Sequence, residues 1–321
     1  MPSPREALRA WLDQQLGLRL REQIPVAGGS IHSAWCLSVE GAASGQLFAK
    51  TNAASALPLL EAEADGLRAL ALAARGTGLQ VPQPLALGLA GGQAVLVLPW
   101  LEERRFSAGA AAWQQLGRGL ARLHRASLGR ACAASDRPAA FGWVRDNWIG
   151  SGPQANGWER SWGQFFCEQR IAPQARLLEA RRRSLPCIEL LLEDLPAWLD
   201  QHQPYPCLVH GDLWSGNVMA VCVNERNSVL SPAIFDPAIH RGDREVDLAM
   251  ARLFGGFPAQ FFEAYQAEWP LPQGAGQRVN MYNLYHLLNH ANLFGGAYHS
   301  QACSLIMECL KQMADHAGGH G

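Results

Sequence analysis

The first hundred residues alternate between helical and strand-like patterns of apolar positions. Apolar residues recur every three or four positions in two stretches, 4–16 and 57–75, and this spacing predicts two helices. Short apolar runs bounded by glycine or proline lie between and after them, and such runs are typical of strands. The predicted strands cover 24–26, 31–39, 46–50, 85–89 and 93–98. These patterns predict a small β-rich lobe at residues 1–101.

From residue 102 onwards the pattern becomes helical. One exception lies at 207–236, where two apolar runs, 218–223 and 229–235, predict a hairpin with its turn at 224–227. The predicted helices cover 108–127, 158–182, 186–201, 244–255, 258–267 and 276–314. The chain is therefore expected to be an α+β protein of two lobes, the second large, mainly helical and formed by residues 102–321.

Composition narrows the class of protein. Charged residues make up 17% of the 321 positions and hydrophobic ones 48%, which favours a globular chain. A net charge of −1 gives no basic footprint for nucleic acid or an anionic membrane. No apolar run could span a bilayer, the first residues lack a signal peptide's apolar core, and the eight cysteines show no zinc-site spacing. We expect a cytoplasmic protein without nucleic-acid or membrane partners, with a monomer favoured.

The sharpest chemical pattern is the string HGDLWSGN at residues 210–217. Four residues separate Asp212 from Asn217, which is the spacing of a kinase catalytic loop. In such a loop the Asp reaches the acceptor hydroxyl and takes or orients its proton, and the Asn directs its amide oxygen at a phosphate-bound Mg²⁺. Taken alone, the same residues would fit a polar surface loop in which Asp and Asn cap turns. With this motif, the two predicted lobes match the plan of a protein kinase.

A lone carboxylate, Asp236, stands at the end of the second apolar run, nineteen residues after Asn217. A carboxylate at this point of a kinase bridges phosphate-bound Mg²⁺. Asp is also a common residue at the end of a strand, and Pro237 supports that simpler interpretation. The order and distance after the catalytic loop favour metal binding.

Lys50 ends a predicted strand of the small lobe and is one of only two lysines in the chain. An ammonium group there can hold the α- and β-phosphates of a nucleotide, and it needs an acidic partner to fix its position. Glu61 and Glu63 both lie early in the next predicted helix. Because residues two apart do not share a helical face, only one of them can be that partner, and we favour Glu63.

Two backbone segments are further candidates for nucleotide contacts. A glycine turn between strands can bring N–H groups against phosphate oxygens, and an apolar strand that runs into the link between the lobes can present its backbone to the adenine edge. These residues are Gly28, Gly29, Ser30 and Ile31 in the turn, and Pro99, Trp100 and Leu101 in the link. Neither pattern is specific, because most two-glycine turns are hairpins and any core strand would look like 94–101.

Several longer strings resemble the fructosamine kinase (ketosamine 3-kinase) family. They are GGSIHSAW at 28–35, EAEADGLRAL at 61–70, FGWVRDNWIG at 141–150, HGDLWSGN at 210–217, IFDPA at 234–238, GDREVDLAM at 242–250, LFGGF at 253–257 and YHLLNHANLFGGAY at 285–298. The resemblance covers residues 15–310. It implies a protein-kinase-like fold and ATP- and Mg²⁺-dependent phosphorylation of a sugar hydroxyl on ketosamines, which destabilises these adducts on proteins or free amines.

The resemblance also implies a role for each matching residue. The catalytic base falls on Asp212, the magnesium ligands on Asn217 and Asp236, and the phosphate-binding pair on Lys50 and Glu63. Two residues are implied in substrate binding, Trp214 as a platform for the sugar and amine, and His286 as a wall of the acceptor site. Many relatives carry Cys where this chain has Ser30, so a disulfide switch in the phosphate loop is not expected.

Some alternatives remain open at this point. The acceptor could be another small alcohol, such as an aminoglycoside or choline, because those kinases share HGD, the following Asn and the downstream Asp. A degenerate nucleotide-binding module is disfavoured, since it should have lost at least one of Lys50, Asp212, Asn217 and Asp236. Asp247 is interpreted as a helix cap or as a residue that orders the catalytic loop. The arginines at 181–183 are interpreted as a solvated helix face.

Overall fold

The computed structural model describes residues 3–27, 31–42, 44–104, 110–128, 140–224 and 229–318. The chain forms two compact units. The N-terminal unit comprises Met1–Leu116 and Val218–Asp236, and the C-terminal unit comprises Gly117–Asn217 and Pro237–Gly321. The hairpin at 218–234 thus belongs to the first unit, and the predicted lobes at 1–101 and 102–321 stay a prediction.

The helices and strands are numbered here in chain order. The helices are α1 Pro4–Leu16, α2 Leu57–Ala73, α3 Ala110–Ala126, α4 Trp162–Phe166, α5 Ala172–Ala180, α6 Ile188–Asp200, α7 Glu245–Leu253, α8 Ala259–Glu268, α9 Ala275–Phe294 and α10 Ala297–Gly318. The strands are β1 Arg19–Pro25, β2 Ser33–Glu40, β3 Gln46–Ala53, β4 Ala86–Ala90, β5 Gln93–Pro99, β6 Glu103–Arg104, β7 Asn147–Ile149, β8 Gly152–Gln154, β9 Cys207–Val209, β10 Val218–Asn224, β11 Val229–Ile234 and β12 His240–Gly242.

The N-terminal unit is built on an antiparallel sheet in the order β1-β2-β3-β5-β4. Strand β5 is buried on both faces, and its side chains alternate between two clusters. Val95 and Val97 pack with Leu8 and Leu12 of α1, and the intervening residues pack with α2. This double burial explains the continuous apolar run in the sequence. The neighbouring strand β3 places Lys50 against Glu63 of α2. A second sheet, β11-β10-β6, completes the unit.

Helix α1 begins with a capping box. Ser3 accepts a hydrogen bond from the N–H of Glu6, and the Glu6 carboxylate accepts one from the N–H of Ser3 at 2.7 Å. Pro4 fills the first helical position, where no backbone donor is needed. The helix ends at Gly17, which adopts a left-handed conformation with φ 65°. These local signals place the helix where the sequence predicts it.

Helix α9 forms the centre of the C-terminal unit. Its buried residues pack with α7, α10 and an aromatic group around Trp162, whose ring lies 5.7 Å from that of Phe165 and 6.0 Å from that of Tyr282. The indole N–H of Trp162 donates a hydrogen bond of 3.0 Å to the hydroxyl of Tyr282. A buried aromatic core with its polar atoms paired gives a rigid support for the loops above it.

Most predicted elements are confirmed within a few residues, and two predictions are wrong. The predicted helix at 276–314 is two helices, because Gly295 and Gly296 have positive φ values of 67° and 55° that end α9. Strand β1 begins at Arg19, five residues earlier than predicted, because Leu20 is its only buried residue and the strand lacks a clear alternation. The predicted turn at 224–227 lies mostly outside the described residues.

The arginine stretch at 181–183 is solvated as predicted at Arg181 and Arg182, but it follows α5 rather than lying on it, and two of its members also have a structural role. Arg183 donates to the carbonyl of Ala291 at 3.0 Å, and Arg181 donates to the carbonyl of Asn292. Both carbonyls lie in the last turn of α9, where a helix lacks internal donors and a positive charge is favourable. These arginines therefore cap α9. Within the described residues, we find no helix that is long and apolar enough to cross a membrane.

The close approach of α4 to α6 gives a stability prediction. A Cβ atom at Gly163 would lie 2.0 Å from the carbonyl oxygen of Pro196, whereas a Cβ at Gly276 in α9 would have no neighbour within 4 Å. Gly163→Ala should lower the free energy of unfolding by about 2 kcal/mol or more, since the backbones must separate. Gly276→Ala, the matched control, should raise it by about 0.5 kcal/mol. Chemical denaturation measures both, and similar shifts for the two variants would contradict this packing.

Candidate active site

Lys50 lies at the centre of an ionic group in the N-terminal unit. Its Nζ atom is 2.8 Å from Oε1 of Glu63 on α2 and 2.5 Å from Oδ1 of Asp236, which follows β11. The side chain of Lys50 is buried, and that of Asp236 is 41% exposed. The structure thus brings together three predicted site residues, and Glu63 rather than Glu61 contacts the lysine.

Charge and burial act in opposite directions in this group. Burial alone lowers the pKa of Lys50, but the carboxylates of Asp236 and Glu63 outweigh it and raise that pKa. Burial raises the pKa of Glu63, the Lys50 ammonium opposes this, and the negative charge of Asp236 adds to the increase. Two carboxylates thus share one ammonium.

Asp236 has an unusual backbone conformation. Its φ of 56° lies in the left-handed region, which Asp tolerates better than most residues but still at a cost in free energy. The conformation sets Oδ1 against Lys50. Strained residues of this kind occur often at functional sites, where the surroundings hold them.

The last residue of the predicted phosphate turn and the residue after it contact the side chain of a residue of β3. The side-chain amide of Asn52, two residues after Lys50, donates to the carbonyl of Ile31 at 2.9 Å and lies 2.9 Å from Nδ1 of His32. Burial and the nearby Lys50 lower the pKa of His32 to about 4, with Asp236 opposing them, so the imidazole is neutral at pH 7. The remaining predicted turn residues, Gly28, Gly29 and Ser30, lie outside the described residues.

The predicted adenine-edge residues lie at the end of β5. Pro99 pairs with Leu47 of β3, and the ring of Trp100 lies 6.5 Å from that of Phe48. Both Trp100 and Leu101 are half-buried. Their contact with a nucleotide stays a prediction.

The catalytic-loop motif follows β9 in the C-terminal unit. The side-chain nitrogen of Asn217 donates to the carbonyl oxygen of Asp212 at 2.8 Å and lies 3.3 Å from its carboxylate oxygen Oδ2. This contact orients the carboxylate of Asp212. Gly211 has a φ of 80°, and a Cβ there would lie 2.0 Å from the carbonyl of Ala238. Only glycine fits this position.

The backbone before Asp212 is held by Asp247 of α7. The two carboxylate oxygens of Asp247 accept hydrogen bonds of 2.8 Å from the N–H groups of His210 and Gly211. Burial raises the pKa of Asp247, but hydrogen bonds and charge from His124 and the His210 N–H outweigh it and hold this pKa below its ordinary value. Asp247 is therefore ionised, and its predicted role in ordering the catalytic loop is confirmed.

Sequence reasoning missed the residues that support Asp247. Nε2 of His124, on α3, lies 3.0 Å from its carboxylate, and Nδ1 lies 2.9 Å from the hydroxyl of Tyr265. Arg244 in turn donates to that hydroxyl at 3.3 Å. His124 is separated from Asp247 by 123 positions, and a single His on a helix gives no signal of such a contact. The chain of hydrogen bonds fixes a buried charge that would otherwise be costly.

The two predicted substrate residues differ in exposure. Trp214 is 41% exposed, and its ring covers Gly216, where a Cβ would lie only 2.3 Å from the indole. His286 on α9 is buried, and burial is the main reason that its pKa falls to about 3. A neutral, buried His286 can act through a hydrogen bond but not through a charge.

Comparisons with known proteins agree with this fold and site. The family model for fructosamine kinase matches residues 5–312. A probable ketoamine kinase from Synechocystis is 40% identical over 97% of this chain and 98% of its own, and a chloroplastic protein-ribulosamine 3-kinase from rice is 32% identical over 96% and 84%. A structure described as a fructosamine-3-kinase from Haemophilus somnus has a TM-score of 0.81 at 27% identity, covering 95% of this chain and 97% of that chain.

An aminoglycoside phosphotransferase gives a TM-score of 0.57 at 17% identity, covering 94% of this chain and 98% of that chain, which shows a shared fold. The protein is thus a kinase with the protein-kinase-like α+β fold. More specifically, the chain belongs to the fructosamine kinase family.

The role of Asp247 leads to a testable prediction. In Asp247→Asn an NH₂ group replaces one of the two carboxylate oxygens, so at least one buried N–H donor loses its acceptor. The expected cost in stability is about 1–3 kcal/mol. Hydrogen–deuterium exchange at the amides of His210 and Gly211 should become at least about tenfold faster. Asp194→Asn, an exposed position on α6, is the matched control and should leave these amides unchanged. Equal protection in both variants would refute the anchoring role.

Proposed function

We propose that this protein transfers the γ-phosphoryl group of ATP, with Mg²⁺, to a sugar hydroxyl of ketosamines, the Amadori adducts of amines with sugars. The observation that carries the phosphotransfer is the catalytic loop, where Asp212 is oriented by Asn217 and its backbone is held by Asp247. The substrate class rests on family membership and on relatives named ketoamine kinase and protein-ribulosamine 3-kinase. A role in deglycation in the cytoplasm belongs to the same proposal.

In this proposal Asp212 binds the acceptor hydroxyl and receives its proton as the oxygen attacks the γ-phosphorus. The new O–P bond forms as the bond to the β-phosphate oxygen breaks, and ADP leaves. Lys50, fixed by Glu63, neutralises charge on the phosphates. Pre-positioned charges of this type supply most of the catalysis of phosphoryl transfer, because the protein contributes little covalent chemistry.

Asn217 and Asp236 are the proposed magnesium ligands. Carboxylate and amide oxygens suit this ion, and Asp236 is the more exposed of the two carboxylates that contact Lys50. When bound, Mg²⁺ would neutralise negative charge on the phosphate oxygens. Trp214 is proposed to pack against the sugar, since an exposed indole presents an apolar face to its C–H groups.

The first test concerns the base. Asp212→Asn should lower kcat at least about 100-fold, because the amide cannot accept the hydroxyl proton. ADP release should be measured with fructosyl-, ribulosyl- and erythrulosyl-lysine beside an aminoglycoside and choline, and nucleotide affinity by equilibrium dialysis. The affinity for ATP should stay within about twofold of the parent's. Turnover on an aminoglycoside or choline alone would overturn the ketosamine assignment, and weakened ATP binding with unchanged kcat would overturn the role of Asp212.

A second test uses the two neighbouring glutamates of α2. Glu63→Gln removes the carboxylate that contacts Lys50, so the ammonium is held less firmly and KM for ATP should rise several-fold. Glu61→Gln makes the same chemical change two residues away and should leave KM for ATP nearly unchanged. Steady-state kinetics at varied ATP compares them. Equal effects of the two changes would show that the pairing of Lys50 with Glu63 does not position the nucleotide.

A further inference from the structure

Five polar side chains of the C-terminal unit form one connected group in its interior. They have no part in the chemistry described so far, and each of them is exposed by 5% or less. We call this group the amide network; its members are Asn147, Gln154, Asn156, Arg170 and Tyr285. Buried polar groups cost free energy unless they are paired, so the partners of the network show what it holds in place.

One end of the network is Arg170, which has donors only and therefore fixes the direction of the hydrogen bonds after it. Its guanidinium donates to Oδ1 of Asn156 at 2.7 Å. The side-chain nitrogen of Asn156 donates to Oδ1 of Asn147 at 2.8 Å, and this oxygen also accepts from Gln154 at 2.8 Å. The nitrogen of Asn147 is then directed at the carbonyl of Ile239, to which it donates at 2.8 Å.

The amide of Gln154 is oriented from the other end, by Tyr285. The hydroxyl of Tyr285 donates to Oε1 of Gln154 at 2.8 Å. Burial raises the pKa of Tyr285, the Arg170 cation opposes this, and the charge of Asp212 adds to the increase, so the hydroxyl keeps its proton. With its oxygen facing Tyr285, Gln154 directs its nitrogen at the carbonyl of Ala238, at 3.0 Å.

Ala238 is the residue through which the network reaches the catalytic loop. Its N–H donates to the carbonyl of His210 at 2.9 Å, and a Cβ at Gly211 would lie 2.0 Å from its carbonyl oxygen. His210 and Gly211 directly precede Asp212, and Asp247 accepts hydrogen bonds from their N–H groups. The backbone before Asp212 is therefore restrained from two sides, by Asp247 at its N–H groups and by Ala238 at a carbonyl.

We propose that Gln154 is a positioning residue for phosphoryl transfer. Through Ala238 it fixes the backbone that leads to the base, Asp212, and Tyr285 acts by fixing the amide of Gln154. Gln154 touches no reacting atom, but a displacement of the reacting groups by about 1 Å can cost about 100-fold in rate. The inference rests on the proposed function, since it concerns the same base.

The test compares two buried glutamines of the same unit, each 1% exposed. Gln154→Met keeps the length of the side chain and removes the donor to the carbonyl of Ala238. Gln174→Met, the matched control, makes the same change in α5, where Gln174 accepts from Asn292 at 2.8 Å. Steady-state kinetics with a ketosamine gives kcat, per mole of folded enzyme, and KM for ATP.

Gln154→Met should lower kcat about tenfold and leave KM for ATP within about twofold, because the base is displaced while the nucleotide contacts remain. Gln174→Met should leave both constants unchanged. Hydrogen–deuterium exchange at the Ala238 amide gives a readout that does not depend on turnover. It should be about tenfold faster in Gln154→Met than in the parent, and unchanged in Gln174→Met.

A second variant removes only the hydroxyl that orients Gln154. Tyr285→Phe should lower kcat about threefold, because the amide keeps its donors and loses its fixed orientation. Added to Gln154→Met, the same change should have no further effect, since the group through which it acts is already gone. Tyr285→Phe alone carries the test if Gln154→Met does not fold, and an unchanged kcat would then refute the positioning role.

The outcomes separate this inference from the function beneath it. If the parent enzyme phosphorylates no ketosamine, the proposed function is wrong, and this inference falls with it. If the parent is active and Gln154→Met lowers kcat no more than Gln174→Met does, only the positioning role is wrong. That role is also refuted if Gln154→Met raises KM for ATP as much as it lowers kcat, or if the effects of Gln154→Met and Tyr285→Phe multiply.

Discussion

The carboxylate of Asp247 has no exposure to solvent and receives two backbone N–H groups from the segment that leads into the catalytic loop. Burying a charge without partners would cost several kcal/mol. His124 on α3 supplies a third contact, and Tyr265 on α8 orients His124. Three helices are thereby tied to one loop, at the two residues that directly precede Asp212. The positions of the other loop residues, including Asn217 and Trp214, depend on this restraint.

Lys50 illustrates a different electrostatic arrangement. Asp247 accepts hydrogen bonds from two backbone N–H groups and lies beside His124, whereas Lys50 faces two carboxylates at once. One of these carboxylates belongs to Asp236, which is substantially exposed and has a left-handed backbone conformation. The first arrangement suits a permanent structural anchor, and the second suits a site that binds and releases a charged ligand.

The sequence was most informative where the interacting residues are close in the chain. The spacing of Asp212 and Asn217 predicts that they belong to one functional loop, and the structure brings them into contact. The unbroken apolar run at β5 predicts a strand, and the structure explains the run by burial on both faces. Edge strand β1 exposes nearly every side chain, so its pattern gave no start signal. His124 and Tyr265 escaped prediction for another reason: their contact joins distant helices, and a single His or Tyr on an amphipathic helix looks like an ordinary core residue.

The glycines of the C-terminal unit show why the site cannot be understood from residue types alone. In the sequence, GG at 255–256 and GG at 295–296 look like two similar helix ends. In the fold, Gly256 lets the chain approach Ser215, whereas Gly295 and Gly296 turn the chain so that Tyr298 returns to His290. A side chain at Gly256 would push on the catalytic loop itself. Glycine thus permits a close approach of two segments at one helix end and a turn between two helices at the other.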